Sequence, residues 1–141
     1  MAIPPHLRLE FVTPERAIAQ DDVDEVQLPG EDGYFGVLPG HAPLLAALRT
    51  GEMWYRKGTV KTFAFIASGF AEVVPDRVSI LAPVAERAED IDHARAEAAK
   101  RQAEAELARP IITEMDAERA RIALLRALSR LNVSQNRRHH S

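Results

Sequence analysis

The chain has 141 residues, 18 basic and 21 acidic side chains, and a net charge of −3, a length that suits one domain or a small domain with an appendage. Cysteine is absent and aromatics make up 6% of the residues, which excludes disulfide frameworks, thiolate zinc sites and cysteine nucleophiles and leaves the core to Val, Leu, Ile and Ala. No window approaches about 18 uninterrupted apolar residues, and "MAIPPHLRLEF" lacks a basic segment followed by an apolar one, so neither a membrane span nor a secretory signal is expected.

The first elements in chain order read as strands. "HLRLEFVTP" alternates Leu7, Leu9 and Phe11 with Arg8 and Glu10, a half-buried strand ended by Pro14. "DDVDEVQLPG" alternates Val23, Val26 and Leu28 less cleanly and is expected to close in a Pro29-Gly30 turn. Next comes "GYFGVLPGHAPLL", with Gly33, Gly36 and Gly40 following Gly30. A phosphate cradle needs glycines after a strand and directly before a helix. Gly36 instead leads into Val37, Leu38 and Pro39, a strand and a turn, so the glycines are expected to permit positive φ in consecutive tight turns. His41 has Glu31 and Asp32 nearby but no serine or cysteine in the same segment, and is expected to be a structural or contact residue. "GEMWYRKGTVKTFAFIASG" reads as two strands about Lys57-Gly58, and "FAEVVPDRVSILAP" as two about Pro75-Asp76. Short strands at this spacing predict an antiparallel sandwich or barrel.

The chain changes character near residue 88. Residues 1–88 carry 8 basic and 12 acidic side chains, net −4, whereas residues 89–141 carry 10 and 9, net +1. All seven glycines and eight of the nine prolines precede residue 88. Two units follow, 1–88 and 89–141.

The second unit reads as two helices. "EDIDHARAEAAKRQAEAELAR" is built from strong helix formers, with Glu89, Asp90 and Asp92 expected in its first turn and Pro110 stopping it. Thr113 and Asp116 form a capping-box signature opening the next helix, along which Ala117, Ala120, Leu124, Leu128 and Leu131 make one apolar stripe. The short linker predicts an antiparallel hairpin. Because the first helix offers mostly alanine, whose methyl buries little area at roughly 25 cal/mol per Å², the hairpin is expected to pack marginally and to be separable from the sandwich.

Charge in the hairpin suggests binding. From Arg119 onward there are six arginines (119, 121, 126, 130, 137, 138) and no acid, and Arg119, Arg126 and Arg130 fall near one face. This is either a solvated face or a docking stripe for an acidic partner or polyphosphate. Nucleic acid is disfavoured, since the chain is acidic and the arginines lack interleaved aromatics. Glu86, Asp92 and Arg95 offer carboxylates for an adenine amino group and ribose hydroxyls and a cation for phosphate, although an i,i+3 Asp–Arg pair is most often a surface ion pair. No catalytic or metal-ligand spacing is visible: His6 and His93 stand apart, and His139-His140 belong to the tail.

Taken together, "LPGEDGYFGVLPGHAPLLAALRTG", "SGFAEVVPDRVSILA" and "IDHARA" resemble the epsilon subunits of bacterial F-type ATP synthases, over roughly residues 5–134. The resemblance implies an α+β fold: an N-terminal antiparallel β-sandwich of about ten strands, then a C-terminal antiparallel two-helix hairpin. It implies a non-catalytic subunit of the central rotor stalk of a proton-translocating synthase, resting on the c-subunit ring and the gamma subunit. The hairpin either lies on the sandwich or extends into the alpha/beta catalytic head, where it blocks ATP hydrolysis. Such a subunit works at the cytoplasmic face of the bacterial inner membrane, attached only through the complex. Carried over, Tyr34 and His41 contact the rotor ring, while the stripe of Arg119, Arg126 and Arg130 read from the sequence is expected to dock to the head. No cofactor is required; ATP is implied as a regulatory ligand held by Glu86, Ile91, Asp92, Arg95, Ala96, Arg126 and Arg130. Three departures stand out: Tyr34 replaces an acid of some relatives, Gln102 an arginine, and Ser68-Gly69 a pair of glycines. The alternative is a free-standing ATP sensor of the same fold.

Overall fold

A computed structural model describes residues 2–136. Ten strands come first: β1 (Leu7–Val12), β2 (Ala17–Val23), β3 (Glu25–Gly30), β4 (Gly33–Val37), β5 (Leu44–Leu48), β6 (Gly51–Lys57), β7 (Val60–Ala67), β8 (Gly69–Val74), β9 (Arg77–Leu81) and β10 (Val84–Arg87). A 3₁₀ turn at Ala88–Asp90 leads into α1 (His93–Leu107) and α2 (Glu114–Gln135). The strands form one sheet in the order β10-β7-β6-β3-β5-β8-β9-β1-β2, with β4 also on β3. The sheet folds over so that β2 packs against β6 and β10, giving a sandwich close to a barrel. Every ladder is antiparallel except β1–β9, which is parallel. That crossover was not legible, because alternation reports which face is buried and not which strand lies alongside.

Inward alternation builds the core. Leu7, Leu9 and Phe11 of β1 are fully buried while Arg8 and Glu10 face out and pair at 3.1 Å. They meet Val26 and Leu28 of β3 and Met53 of β6 in one cluster. The Lys57-Gly58 and Pro75-Asp76 turns join the expected strand pairs. Gly58 takes φ +63, and its N–H donates to Asp24 Oδ2 at 2.7 Å.

The Pro29-Gly30 turn is not observed: both residues belong to β3, and the chain reverses at Glu31-Asp32. Pro29 is tolerated because it lies where β3 leaves β6, whose pairing ends at Gln27, and before β5 joins at Gly30. Its missing donor falls in the gap between ladders. The glycine run is likewise less uniform than expected. Only Gly33 and Gly40 have positive φ, while Gly30 is needed because a Cβ there would stand 2.9 Å from the Gly33 carbonyl. At the departing turn, Ser68 itself adopts φ +60, a conformation a glycine would take without strain.

Two helix expectations change. Glu89 and Asp90 lie in the 3₁₀ turn, and Asp92 precedes α1 as its N-cap, its Oδ1 accepting from the Arg95 N–H at 3.0 Å. Thr113 caps α2 as expected, accepting from the Asp116 N–H at 3.1 Å. The buried face of α2 is Ala117, Ala120, Ala127 and Leu131, while Leu128 is 45% exposed. Ala127 is fully enclosed, and a larger side chain there would overpack the site.

Candidate functional site

The base of the hairpin sits on the sandwich. Ile91 and Val133 bury against Phe65 and Ala67 of β7. The Arg130 guanidinium lies 4.5 Å from the Phe65 ring centre, and its Nε donates to Glu86 Oε1 at 2.6 Å, each side chain 28% exposed. At the end of α2, the Asn136 amide donates to Glu52, whose carboxyl burial pushes above its ordinary value while that hydrogen bond opposes the shift. His93 Nδ1 lies 3.2 Å from Ser134 Oγ, joining the start of α1 to the end of α2.

Between this base and the sandwich lies a cavity of about 530 Å³. Glu86 from β10, Asp92, Arg95 and Ala96 from the start of α1, and Arg130 from α2 line it. Five of the seven residues implied for ATP therefore converge. Ile91 does not line the cavity; at 4% exposed it anchors the hairpin in the apolar cluster beneath. Arg126 is also absent from the wall, yet its Nε is buried without a hydrogen-bond partner among the described residues. The cavity wall itself, with Arg16, Arg95 and Arg130 among carboxylates, offers donors for a polar anionic occupant. Arg119 is separate: it borders a groove between α1 and α2 with Gln102 and Ala120. The three arginines thus do not form one cluster. Arg137, Arg138, His139 and His140 lie outside the described residues.

Tyr34 and His41 are not brought together either. Tyr34, 51% exposed, sits beside Arg49, whose guanidinium is 5.2 Å from its ring, level with the Leu48–Gly69 end of the β5–β8 ladder. His41 lies beyond the other end, where the Gly40 N–H donates to the Pro75 carbonyl. Its Nδ1 is 2.6 Å from the Ala42 carbonyl oxygen and so carries the proton that this bond needs. That is a loop-shaping contact, with no nucleophile attached.

Sequence reasoning missed Phe65 as the seat of Arg130, the Glu52–Asn136 contact, and Thr13 and Arg16 in the cavity wall. All depend on pairings of distant segments, which leave no local signal.

A β-sandwich followed by a two-helix hairpin, joined at a polar cavity, defines a two-part binding fold. The comparisons make this specific. Residues 6–88 match the family model "ATP synthase, Delta/Epsilon chain, beta-sandwich domain", and residues 89–135 the "long alpha-helix domain" of the same chains. The chain belongs to the ATP synthase delta/epsilon family. It is 46% identical over 134 residues to an ATP synthase epsilon chain of Dehalococcoides mccartyi, covering 95% of this chain and 96% of that one. It is 47% identical over 130 residues to that of Nitratidesulfovibrio vulgaris, covering 92% and 96%. Among solved structures it is similar to a chain of the Euglena gracilis mitochondrial ATP synthase OSCP/F1/c-ring assembly, with a TM-score of 0.79 and 28% identity over 89% of this chain and 79% of that one. A chain of the Tetrahymena thermophila central stalk and c-ring shares the fold, with a TM-score of 0.62 at 13% identity over 91% and 96%.

Proposed function

We propose that this chain couples the c ring to the alpha/beta catalytic head of a proton-translocating F-type ATP synthase and restrains ATP hydrolysis through its hairpin. Its rotor-subunit role and its lack of a catalytic centre of its own follow from the family. The sandwich meets the gamma subunit and the c ring, with Tyr34 and His41 among the contacts. The subunit works at the cytoplasmic face of the bacterial inner membrane, held there by the complex; no helix among the described residues is long and apolar enough to cross a membrane.

The observation carrying the inhibitory reading is how the hairpin is held. The buried residues of α1 are two alanines, Ala96 and Ala103, and the grip on the sandwich is confined to the hairpin base. Away from that base α2 leaves Ile122, Leu125 and Leu128 about half exposed, an apolar face available to a second packing in the head. Arg119, Arg126 and Arg130 supply the charge for docking there. The test is the ATPase rate of the catalytic complex rebuilt with the full chain or with a chain ending at residue 88. Faster hydrolysis with the shortened chain is the expected result; equal rates would remove the inhibitory role.

ATP is the regulatory ligand of this reading, held in the cavity lined by Glu86, Asp92, Arg95 and Arg130 and stabilising the folded-down hairpin. The same cavity supports the alternative of a free-standing ATP sensor, which is separated by whether the chain co-purifies with the synthase.

A further inference from the structure

The cavity at the hairpin base has a wall that the family's ATP motif does not include. The β1–β2 turn reaches it, with Thr13, Glu15 and Arg16 all lining the space. This turn is rigidly built: the Thr13 N–H donates to the Arg16 carbonyl at 2.9 Å, and the Arg16 N–H donates to Thr13 Oγ1 at 3.2 Å. Arg16 is therefore presented from a fixed backbone on the sandwich side.

The charges around the cavity sort into committed and uncommitted ones. Glu86 is neutralised by Arg130 at 2.6 Å, Asp92 caps α1, and Asp90 pairs with Arg87 at 3.4 Å. What remains is Glu15, Arg16 and Arg95, and neither of the two guanidinium groups has a side-chain hydrogen bond or ion pair among the described residues. Glu15 and Asp92 offset the two arginines in charge, but Arg16 on the sandwich and Arg95 on the first turn of α1 are the two cavity cations whose donor forks are unfilled among the described residues. Two planar forks in one cavity, carried by different elements, suit an anion with several oxygens better than a single carboxylate.

We infer that Arg16 is a phosphate-binding residue of this cavity, acting with Arg95 so that the polyphosphate chain of a nucleoside triphosphate bridges the sandwich and the hairpin. This rests on the reading of the cavity as a nucleotide site and adds how occupancy would fasten the hairpin. An occupant held only by hairpin residues and Glu86 would leave the β1–β2 turn untouched, whereas one gripped by Arg16 ties α1 to the edge of the sheet.

Calorimetry on the full chain tests this, with ATP and inorganic tripolyphosphate as the two probes. Arg16→Ala is expected to weaken ATP binding about tenfold, with Arg16→Lys intermediate and the melting temperature without ligand unchanged, since the residue is exposed. Tripolyphosphate binding should weaken by a similar factor, which assigns the contact to the phosphates and not to the nucleoside. If Arg16→Ala binds ATP as the parent does while Arg130→Ala does not, the inference about Arg16 fails and the nucleotide site stands. If tripolyphosphate binds through Arg16 and ATP does not bind, the anion contact stands and its nucleotide assignment fails. If the parent chain binds neither probe, both readings fall.

Discussion

The sandwich and the hairpin are stabilised by different means. In the sandwich, large side chains such as Phe11, Leu9 and Met53 are completely buried, each contributing about 1.5–3 kcal/mol. Along the helix seam the buried positions are mostly alanines, Ala96, Ala103, Ala117, Ala120 and Ala127, each worth only a methyl group, about 0.8 kcal/mol. The hairpin exists because its residues favour helix and its ends are capped. Its attachment to the sandwich rests on a few contacts at one end. A tightly packed core and a lightly held appendage are thus built from different residue types within one chain.

The largest effect separating the two should come from the sandwich core. Phe11→Ala is expected to cost about 3–5 kcal/mol, through lost transfer energy and the cavity left behind. In a denaturant titration it should unfold sandwich and hairpin contacts together, because the hairpin's seat on β7 disappears with the sheet. Arg130→Ala should do something smaller and more selective. Losing the Glu86 pair and the stacking on Phe65 should loosen the hairpin by about 1–2 kcal/mol. Amide exchange in α2 would then accelerate while β1–β9 amides keep their protection; equal loss in both regions would contradict the division.

The smallest difference is one of pH. Burial raises the Glu52 carboxyl, so the folded state disfavours its ionised form, and the stability it lends is present at low pH and lost as pH rises through the folded value. Asp21, held low by the Lys57 hydrogen bond, and Asp24, held low by the Gly58 N–H, have the opposite sign: their contribution is lost as pH falls through their folded values. Acidification from neutral pH toward the ordinary carboxylate range should therefore raise protection factors at the end of α2, and continued acidification should lower them at the β2–β3 corner. Glu52→Gln should abolish the first response and leave the second.

Much of this was legible in the sequence because it is locally encoded. The alternation of Leu7, Leu9 and Phe11, the turns at Lys57-Gly58 and Pro75-Asp76, and the Thr113 cap all depend on neighbours within a few residues. What was missed depends on partners. Pro29 fits a strand only because β3 changes neighbours beside it, and β10 exists as a strand by pairing with β7. At the candidate site, the family motif brought Glu86, Asp92, Arg95, Ala96 and Arg130 to one cavity. It did not reveal that Glu86 and Arg130 bind each other, that Arg126 lies off the wall, or that Arg16 arrives from a turn about seventy residues earlier.

The parallel β1–β9 ladder has a consequence for how the molecule is made. Leu9 pairs beside Val78, so the first strand emerging from the ribosome has no neighbour on that side until β9 has been synthesised. The β2 hairpin can form at once, but sheet closure waits for most of the first unit. Once β9 is in place, nothing in α1 or α2 is needed to complete the ladders, because no strand pairs with either helix. The hairpin then arrives last, on a finished surface of β6 and β7. The seating of α2 on β6 and β7 thus completes the molecule only after every ladder has closed.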